Sequence, residues 1–314
     1  MSSSDASADA EVRVICGPTA AGKSAIALWL AEHAPSTIIS ADSRQVYRRF
    51  DIGTAKPTLA ERERVPHRGI DVVEPTKRYS AAAWASSANQ WIEESLDANR
   101  VPLVVGGTGL YLRALFEGLF GEPALDADRR AALAVALSRL TVPELRRWAR
   151  TLDPARAHLG RTQLLRVVEI ALLTGRRLSD LHMEDRTPVR WRPRYLVVDP
   201  GLVLADRIAA RTDTMLAGGW PEEVRALERE VPEEAPAWNA TGYRHVRSYV
   251  RGECDLAAAR EAIVIGTRQY AKRQRTWFRH QLPSERVTRV DPLASDWREI
   301  VERWAMGKPS PVMR

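Results

Sequence analysis

Cysteine is scarce in this chain: among 314 residues there are two, Cys16 and Cys254. Two cysteines cannot build a disulfide framework or a four-cysteine zinc site, and such sparse use indicates a reducing compartment. No apolar run approaches the roughly 18 residues that a membrane span needs. Residues 1–10 lack the basic and apolar regions of a signal peptide. We therefore expect a cytoplasmic protein, not associated with a membrane, with a flexible N-terminal tail.

Negative charge is locally sparse although the chain holds 40 acidic residues against 47 Lys and Arg, for a net charge of +7. Acidic residues are missing from 268–279 and rare in the Arg-rich stretch 139–166. Residues 186–194 hold four arginines around a Trp, also without an acid. Runs of one sign beside aromatic residues favour a phosphate backbone as partner, whereas any single run is as well explained by a solvated face.

The run 268–279 has the spacing of an amphipathic helix. As a helix it places cations at i, i+4, i+7 and i+11 and turns its aromatic residues toward a core. The predicted basic stripe consists of Arg268, Lys272, Arg275 and Arg279, and the predicted inward face consists of Tyr270, Ala271, Trp277 and Phe278.

A glycine-rich segment, residues 17–24 (GPTAAGKS), fits the pattern G-x4-G-K-[ST]. We call it the glycine loop. It lies between a strand-like run and a helix-like run, the context in which backbone N–H groups and a helix N-terminus cradle phosphate. Lys23 adds a positive charge, and the Ser24 hydroxyl is placed to reach Mg²⁺. The pattern predicts a phosphate-bearing ligand, and it is shared with ATP-binding and other nucleotide-binding proteins.

Strand and helix signals alternate near the N-terminus and again after residue 194, which predicts an α/β fold with a parallel sheet and covering helices. Between them the signals are helical throughout, which predicts a helical insertion. Predicted strands are 12–16, 37–40, 101–105 and 195–199, and predicted helices include 25–33, 80–96, 128–140, 142–151 and 162–173, followed by helices from 204 to 304. The expected domains are a core of 11–121 and 195–305, an insertion of 122–194, and tails of 1–10 and 306–314.

Polar residues follow several predicted strands. Asp42 follows the second and Thr108 the third, and carboxyl ends of parallel strands converge on the crevice where such sheets bind ligands. Asp42 suits a helix N-cap equally well. Asp199, after an apolar strand, resembles a Walker-B acid and keeps open an NTPase that remodels RNA.

At these residues the sequence resembles the bacterial tRNA dimethylallyltransferase family. The matching blocks, which lie in family order, are 17–24, 40–57 (SADSRQVYRRFDIGTAKP), 66–80 (PHRGIDVVEPTKRYS), 102–115 (PLVVGGTGLYLRAL) and 242–279. DIGTAKP and GGTGLY are far more specific than the glycine loop. The resemblance implies a P-loop core with a helical insertion that contacts tRNA.

The resemblance also implies the reaction, transfer of a dimethylallyl group from dimethylallyl diphosphate to N6 of adenosine 37 in tRNA with release of diphosphate. Asp42 matches the general base, and Thr108 a hydroxyl that orients the reacting groups. Diphosphate is implied to be held with Mg²⁺, with Ser24 on the metal. The implied diphosphate-binding residues are Gly17, Pro18, Thr19, Ala20, Ala21, Gly22, Lys23, Ser24 and Arg211.

For the tRNA anticodon stem-loop, the resemblance implies contacts from several separate segments. They are Asp42, Ser43, Arg44, Gln45, Thr108, Arg130, Arg166, Asn239, Ala240, Thr241, Gly242, Tyr243, Arg244, Lys272, Arg273, Gln274, Arg275, Thr276, Trp277, Phe278 and Arg279. Gly242 and Tyr243 suit a turn and a core aromatic equally well. We expect a monomer.

The chain departs from the family pattern at one place and leaves a related activity open. Family members show Gln-Arg-x-x-Arg where this chain has Thr162, Gln163 and then Arg166, so Gln163 replaces the middle arginine and the resemblance assigns no tRNA contact to Thr162 or Gln163. The zinc finger of eukaryotic members is missing. An adenylate isopentenyltransferase, which prenylates free AMP or ADP, is a close alternative, and the Arg-rich insertion favours tRNA over it.

Overall fold

The computed structural model describes residues 10–118, 125–184 and 189–307. Its strands are β1 (Ala10–Cys16), β2 (Ser36–Ser40), β3 (His67–Arg68), β4 (Val101–Gly106), β5 (Trp191–Val198) and β6 (Val287–Val290). Its helices are α1 (Lys23–His33), α2 (Leu59–Arg64), α3 (Ala81–Asp97), α4 (Gly109–Phe116), α5 (Ala127–Ser138), α6 (Val142–Leu152), α7 (Arg161–Thr174), α8 (Leu178–Glu184), α9 (Leu204–Ala217), α10 (Trp220–Glu230), α11 (Tyr243–Val250), α12 (Leu256–His280) and α13 (Trp297–Ala305).

The chain divides into two compact units, one of Met1–Phe116 with Arg190–Arg314 and one of Glu117–Val189. The first unit contains a parallel sheet in the order β3-β2-β4-β1-β5-β6. The predicted α/β class with a parallel sheet and covering helices is confirmed. The predicted tails, apart from residues 10, 306 and 307, and the predicted boundary at 121–122 lie outside the described residues.

The sheet order explains why the predicted site residues meet. Because β4 lies between β2 and β1, and all three strands are parallel, the segments after their carboxyl ends are neighbours. Apolar residues of the strands pack against α1 and α13, with Ile15, Leu103 and Leu196 almost wholly buried. This core fixes the strand ends and therefore the loops that carry the site.

Two strand predictions were wrong. β5 begins at Trp191, not at residue 195, and β6 lies within a stretch predicted to be helical. Pro193 and two arginines hide the start of β5 in the sequence, because proline is unusual in the interior of a sheet. Of the described strands, β1 pairs with this first part of β5, and β6 pairs only with the later part. β6 is a four-residue edge strand, too short to show an alternating pattern.

The second unit is helical, as predicted, and has a core of its own. Apolar side chains of α6, α7 and α8 pack together, among them Leu145, Leu164 and Leu181. Asp153, fully buried, accepts a hydrogen bond from the Ser179 N–H at 2.9 Å, which closes the start of α8 onto the end of α6. In the described ranges, every helix is too short or too polar to cross a membrane.

Candidate active site

The glycine loop leaves the carboxyl end of β1 and enters α1. Gly17 has φ 142°, and a Cβ there would lie 2.2 Å from the Val198 carbonyl oxygen, so both its conformation and its space require glycine. Ala20 (φ 61°) and Gly22 (φ 103°) also take left-handed conformations. This backbone turns the chain sharply so that α1 begins at Lys23, and the N–H groups of its first turn have no partner within the helix.

The Lys23 side chain reaches back from the start of α1 to the first residues of this loop. Its Nζ donates a hydrogen bond to the Pro18 carbonyl at 2.7 Å. Burial lowers the pKa of Lys23 to about 8, while the Asp42 carboxylate acts in the opposite direction. Lys23 is therefore mostly protonated at neutral pH. Within the described ranges it has no carboxylate partner, so its charge is available to an anionic ligand.

Two arginines of α9 complete the positive surround of the loop. The Arg211 guanidinium donates to the Thr19 hydroxyl at 3.2 Å, and Arg207 donates to the Ala20 carbonyl at 2.9 Å. Burial lowers the pKa of Arg211, and Asp42 opposes this shift. A cavity of about 410 Å³ is lined by Lys23, Ser24 and both arginines. Arg207 was missed from the sequence, although the four-residue spacing to Arg211 puts both on one helix face.

Asp42 follows β2, at the carboxyl edge of the sheet. Its Oδ1 accepts a hydrogen bond from the Arg44 N–H at 2.8 Å, and a turn, not a helix, follows. The N-cap interpretation of Asp42 is therefore wrong. The Asp42 charge acts on the pKa values of Lys23, Arg211 and Tyr270. Asp42 lines one cavity together with Thr19 of the glycine loop and Tyr270 of α12.

Thr108, after β4, joins the two neighbouring strand ends. Its hydroxyl accepts a hydrogen bond from the Ser43 N–H at 3.0 Å, and its own N–H donates to the Ala41 carbonyl at 3.1 Å. The Thr108 side chain also acts on Tyr270, lowering the pKa of that phenol against the effect of burial. Tyr270 was predicted to face a core, but it lines the same cavity as Asp42. Burial, with the nearby Asp42 charge, raises the pKa of Tyr270 to about 12.

A second cavity, of about 530 Å³, joins residues from most of the blocks that the sequence singles out. It shares Ala20 and Arg211 with the smaller cavity, so the two meet at the glycine loop. The predicted site residues in its wall are Thr19, Ala20, Asp42, Ser43, Arg44, Thr108, Arg211, Asn239, Ala240, Thr241, Arg273, Gln274 and Trp277. The wall also includes the apolar side chains of Ile208, Met215, Trp220 and Ile263.

Several predicted tRNA contacts are placed elsewhere. Tyr243 and Phe278 are buried, with exposed fractions of 0% and 2%, so their side chains belong to the core. Gly242 (φ 97°) is a turn packed against Trp220, where a Cβ would approach the ring to 2.4 Å. The Gln45 amide is engaged internally, accepting from Ser40 and donating to the Thr54 and Ala55 carbonyls. These four residues do not line the cavity but pack behind the residues that form its wall.

The predicted basic stripe of α12 is only partly exposed. Arg268, Lys272 and Arg279 are exposed, whereas Arg275 is half-buried and forms an ion pair with Asp199. Asp199 also accepts a hydrogen bond from the Gly201 N–H at 3.0 Å and does not line either cavity. Arg275 therefore has a carboxylate partner within the protein, and Asp199 lies outside both cavities that surround the glycine loop. Of the other predicted contacts, Arg244 and Thr276 are exposed.

The predicted contacts of the helical unit lie on α5 and α7. Arg130 and Arg166 both form ion pairs with Glu169, Arg130 at 2.8 Å. Gln163 is exposed and accepts a hydrogen bond from the Gly160 N–H at 3.3 Å, at the start of α7. Thr162 beside it is exposed.

The core placement of Tyr243 gives a prediction. Its hydroxyl donates to Glu223 at 2.6 Å, and the same carboxylate accepts from the Asp51 and Ile52 N–H groups. Tyr243→Phe removes this charge-assisted bond and is expected to lower the free energy of unfolding by about 1–3 kcal/mol without changing the Kd for tRNA. Denaturant unfolding and tRNA binding measure the two effects, with Tyr249→Phe in the same helix as the control. A raised Kd at unchanged stability would restore Tyr243 as an RNA contact.

Comparison with known proteins finds matches over most of the chain. A family model described as IPP transferase matches residues 45–281, and one described as isopentenyl transferase matches residues 10–70. The curated tRNA dimethylallyltransferase of Halorhodospira halophila is 44% identical over 301 residues, covering 93% of this chain and 97% of that relative. The tRNA dimethylallyltransferase of Bordetella pertussis is 43% identical over 296 residues, covering 90% and 94%.

Solved structures of related proteins share the fold. The full-length tRNA isopentenylpyrophosphate transferase of Bacillus halodurans is 33% identical, with a TM-score of 0.67 and coverage of 94% of this chain and 95% of that one. A eukaryotic dimethylallyltransferase acting on tRNA has a TM-score of 0.80 over 97% of this chain and 82% of that one, and at 24% identity it supports the fold alone. The family model spans well over half of the residues, and curated relatives exceed 40% identity over nearly the whole length, so the chain belongs to the IPP transferase family, the tRNA dimethylallyltransferases.

Proposed function

We propose that this prenyltransferase moves the dimethylallyl group of dimethylallyl diphosphate to N6 of adenosine 37 in tRNA. One observation supports the proposal above all: a carboxylate, Asp42, lines a cavity that meets two cations, Lys23 of the glycine loop and Arg211 of α9. Neither cation has a carboxylate partner among the residues that the structure describes. Such a site suits a reaction in which an anionic group leaves at one end while a proton is accepted at the other. The proposal is tested by mass spectrometry of tRNA incubated with the enzyme, Mg²⁺ and dimethylallyl diphosphate.

The diphosphate end is formed by the glycine loop and α9. Negative charge grows on the leaving diphosphate as the carbon–oxygen bond breaks, so positioned cations and N–H groups stabilise the transition state more than the substrate. Lys23 and Arg211 supply the cations, and the first turn of α1 supplies the N–H groups. The loop then holds a diphosphate that leaves and not a nucleotide that is hydrolysed.

The donors at this end fit Mg²⁺ that is bound together with the diphosphate. The described residues contain no group of three acidic, His or Cys side chains that could cage a metal. Ser24, however, is exposed on the wall of the smaller cavity beside Lys23, and Mg²⁺ prefers a few protein oxygens combined with water and substrate phosphates. Ser24 would hold the ion, and the ion would neutralise charge on the diphosphate oxygens.

The adenine end is formed by the strand ends that carry Asp42 and Thr108. The N6 amine of adenine is a weak nucleophile because its lone pair is delocalised into the ring. Loss of a proton from this amine therefore accompanies its attack on C1 of dimethylallyl diphosphate, the carbon that carries the diphosphate group. Asp42 accepts that proton as the new carbon–nitrogen bond forms. Thr108, held by hydrogen bonds to Ser43 and Ala41, orients the base at this end of the cavity.

The substrate base must leave its stack to reach this cavity. An adenine inside a folded anticodon loop is accessible only after it swings outward, and the protein must hold the flanking phosphates. Arg44 and Arg273 line the cavity, and exposed cations of α12 extend beyond it. These charges fit a nucleotide backbone better than a free nucleotide, which favours tRNA over AMP or ADP.

The exposed cations of α12 give a test of the RNA contact. Lys272→Ala combined with Arg279→Ala should raise the Kd for tRNA and flatten its dependence on salt, by up to roughly one unit of log–log slope for each lost phosphate contact. Affinity for dimethylallyl diphosphate should not change. The control removes two exposed cations elsewhere, Arg64 on α2 and Arg298 on α13. Equal salt slopes in wild type and the α12 variant would show that this face is merely solvated.

A further inference from the structure

Gln274 lies on the inward face of α12 and is almost completely buried, with an exposed fraction of 6%. Its Oε1 accepts a hydrogen bond from the Thr19 N–H at 2.8 Å, and its Nε2 donates to the Gly107 carbonyl at 2.8 Å. The partners fix the orientation of the amide, because one is an obligatory donor and the other an obligatory acceptor. One side chain thus bonds the glycine loop to the segment after β4.

The surrounding backbone is shaped to admit this side chain. A Cβ at Gly107 would lie 2.2 Å from Gln274 Nε2, so the second glycine of the GGTG run makes room for the amide. Gly107 also packs against the loop, since the same Cβ would lie 3.3 Å from the Gly17 carbonyl oxygen. Thr19 is held a second time through its hydroxyl by Arg211. The glycine loop is therefore fixed at Thr19 from both sides.

We propose that Gln274 is a positioning residue for the diphosphate site and not a contact for tRNA. Its carboxamide holds Thr19 in the conformation that directs the following N–H groups and Lys23 toward the ligand. The inference rests on the proposed prenyl transfer for its ligand, while the bonds that support it are internal to the protein. It reverses the role that the family resemblance implies for this position.

The position of Gln274 links the two substrates mechanically. The same helix exposes Lys272 and Arg279 on its outer face, so an RNA backbone held there and the glycine loop share one rigid element. A shift of α12 would therefore be passed to Thr19 through the Gln274 amide. An exposed arginine of the same helix cannot make such a bond to the glycine loop.

Gln274→Glu tests this role with little change in shape. A neutral carboxyl group keeps one donor and one acceptor, but a carboxylate cannot donate to the Gly107 carbonyl, and burial favours the neutral form. At pH 8 we expect the KM for dimethylallyl diphosphate and the Kd for inorganic diphosphate with Mg²⁺ to rise about tenfold to a hundredfold, with an unchanged Kd for tRNA. Relative to wild type, the variant should recover activity as the pH falls.

Two further variants complete the design. Gln274→Met keeps the length, buries no charge and removes both bonds, so its loss of diphosphate affinity should not depend on pH. This neutral variant also decides the question if Gln274→Glu fails to fold. Gln269→Glu adds the same charge at an exposed position of α12 and should leave the affinity for diphosphate as in wild type.

The outcomes separate the inference from the proposed function. A folded Gln274→Met with wild-type affinity for diphosphate would overturn the positioning role. A weaker Kd for tRNA with unchanged diphosphate affinity would also overturn it, in favour of an RNA contact. If wild type binds diphosphate but transfers no prenyl group, the proposed function fails, and the effect of Gln274→Met on diphosphate affinity still decides the role of Gln274.

Discussion

Asp42→Asn should lower the single-turnover rate of prenyl transfer by about 10²–10⁴-fold, the usual contribution of a general base. The amide has nearly the same shape, and its oxygen still accepts the hydrogen bond from the Arg44 N–H, so the fold and the Kd for tRNA should change little. What it loses is the ability to accept the proton of the attacking amine. Rapid-quench measurement with saturating enzyme isolates this step from binding and product release.

Asp199→Asn is the matched control for Asp42→Asn. Asp199 also follows a parallel strand, but it is paired with Arg275 outside the two cavities, so its replacement should leave the transfer rate near that of wild type. Equal rates for Asp42→Asn and wild type would remove Asp42 from the chemistry. A large loss in Asp199→Asn alone would instead revive a Walker-B role for that residue.

Lys23→Ala should lower kcat/KM for dimethylallyl diphosphate by about 10²–10³-fold, as for removal of one pre-positioned group that stabilises developing charge. Both ground-state binding and transfer should suffer, because the diphosphate is charged before it leaves and becomes more so afterwards. Retained prenyl transfer with loss of an ATP hydrolysis activity would support the NTPase alternative.

The pKa of Lys23 adds a pH dependence to this result. With the pKa lowered to about 8 in the free protein, the amine is protonated below that pH and loses its charge above it. In wild type, kcat/KM should therefore fall as the pH rises through about 8, since this ratio reports the free enzyme. Lys23→Ala should lack that step, and a step of the same size in the variant would assign it to another group.

The sequence was sufficient for the central strands β1, β2 and β4 and for the residues that follow them, but not for β3, β6 or the start of β5. β1, β2 and β4 are short apolar runs next to turn residues, and their parallel order brings Asp42 and Thr108 to one edge whatever the details of packing. The glycine loop could be predicted because its glycines answer a local need for space and for positive φ. Local patterns carry such information.

Side-chain direction on α12 could not be predicted in the same way. Helical spacing correctly placed Phe278 inside, but whether Tyr270 and Gln274 meet a core or a cavity depends on loops more than 150 residues away in sequence. The pairing of Arg275 with Asp199 depends likewise on where the segment after β5 lies relative to α12. A cation in a periodic stripe looks the same in sequence whether its partner is water, a phosphate or a carboxylate.

The most direct test of the proposed function is the product itself. Unmodified tRNA is incubated with the protein, Mg²⁺ and dimethylallyl diphosphate, digested, and analysed by mass spectrometry, with AMP and ADP as competing acceptors and ATP hydrolysis measured in parallel. The proposal predicts one dimethylallyl group on N6 of adenosine 37, formation of diphosphate, and no prenylated AMP or ADP. Unmodified adenosine 37 together with prenylated AMP, or with RNA-stimulated release of phosphate from ATP, would contradict it.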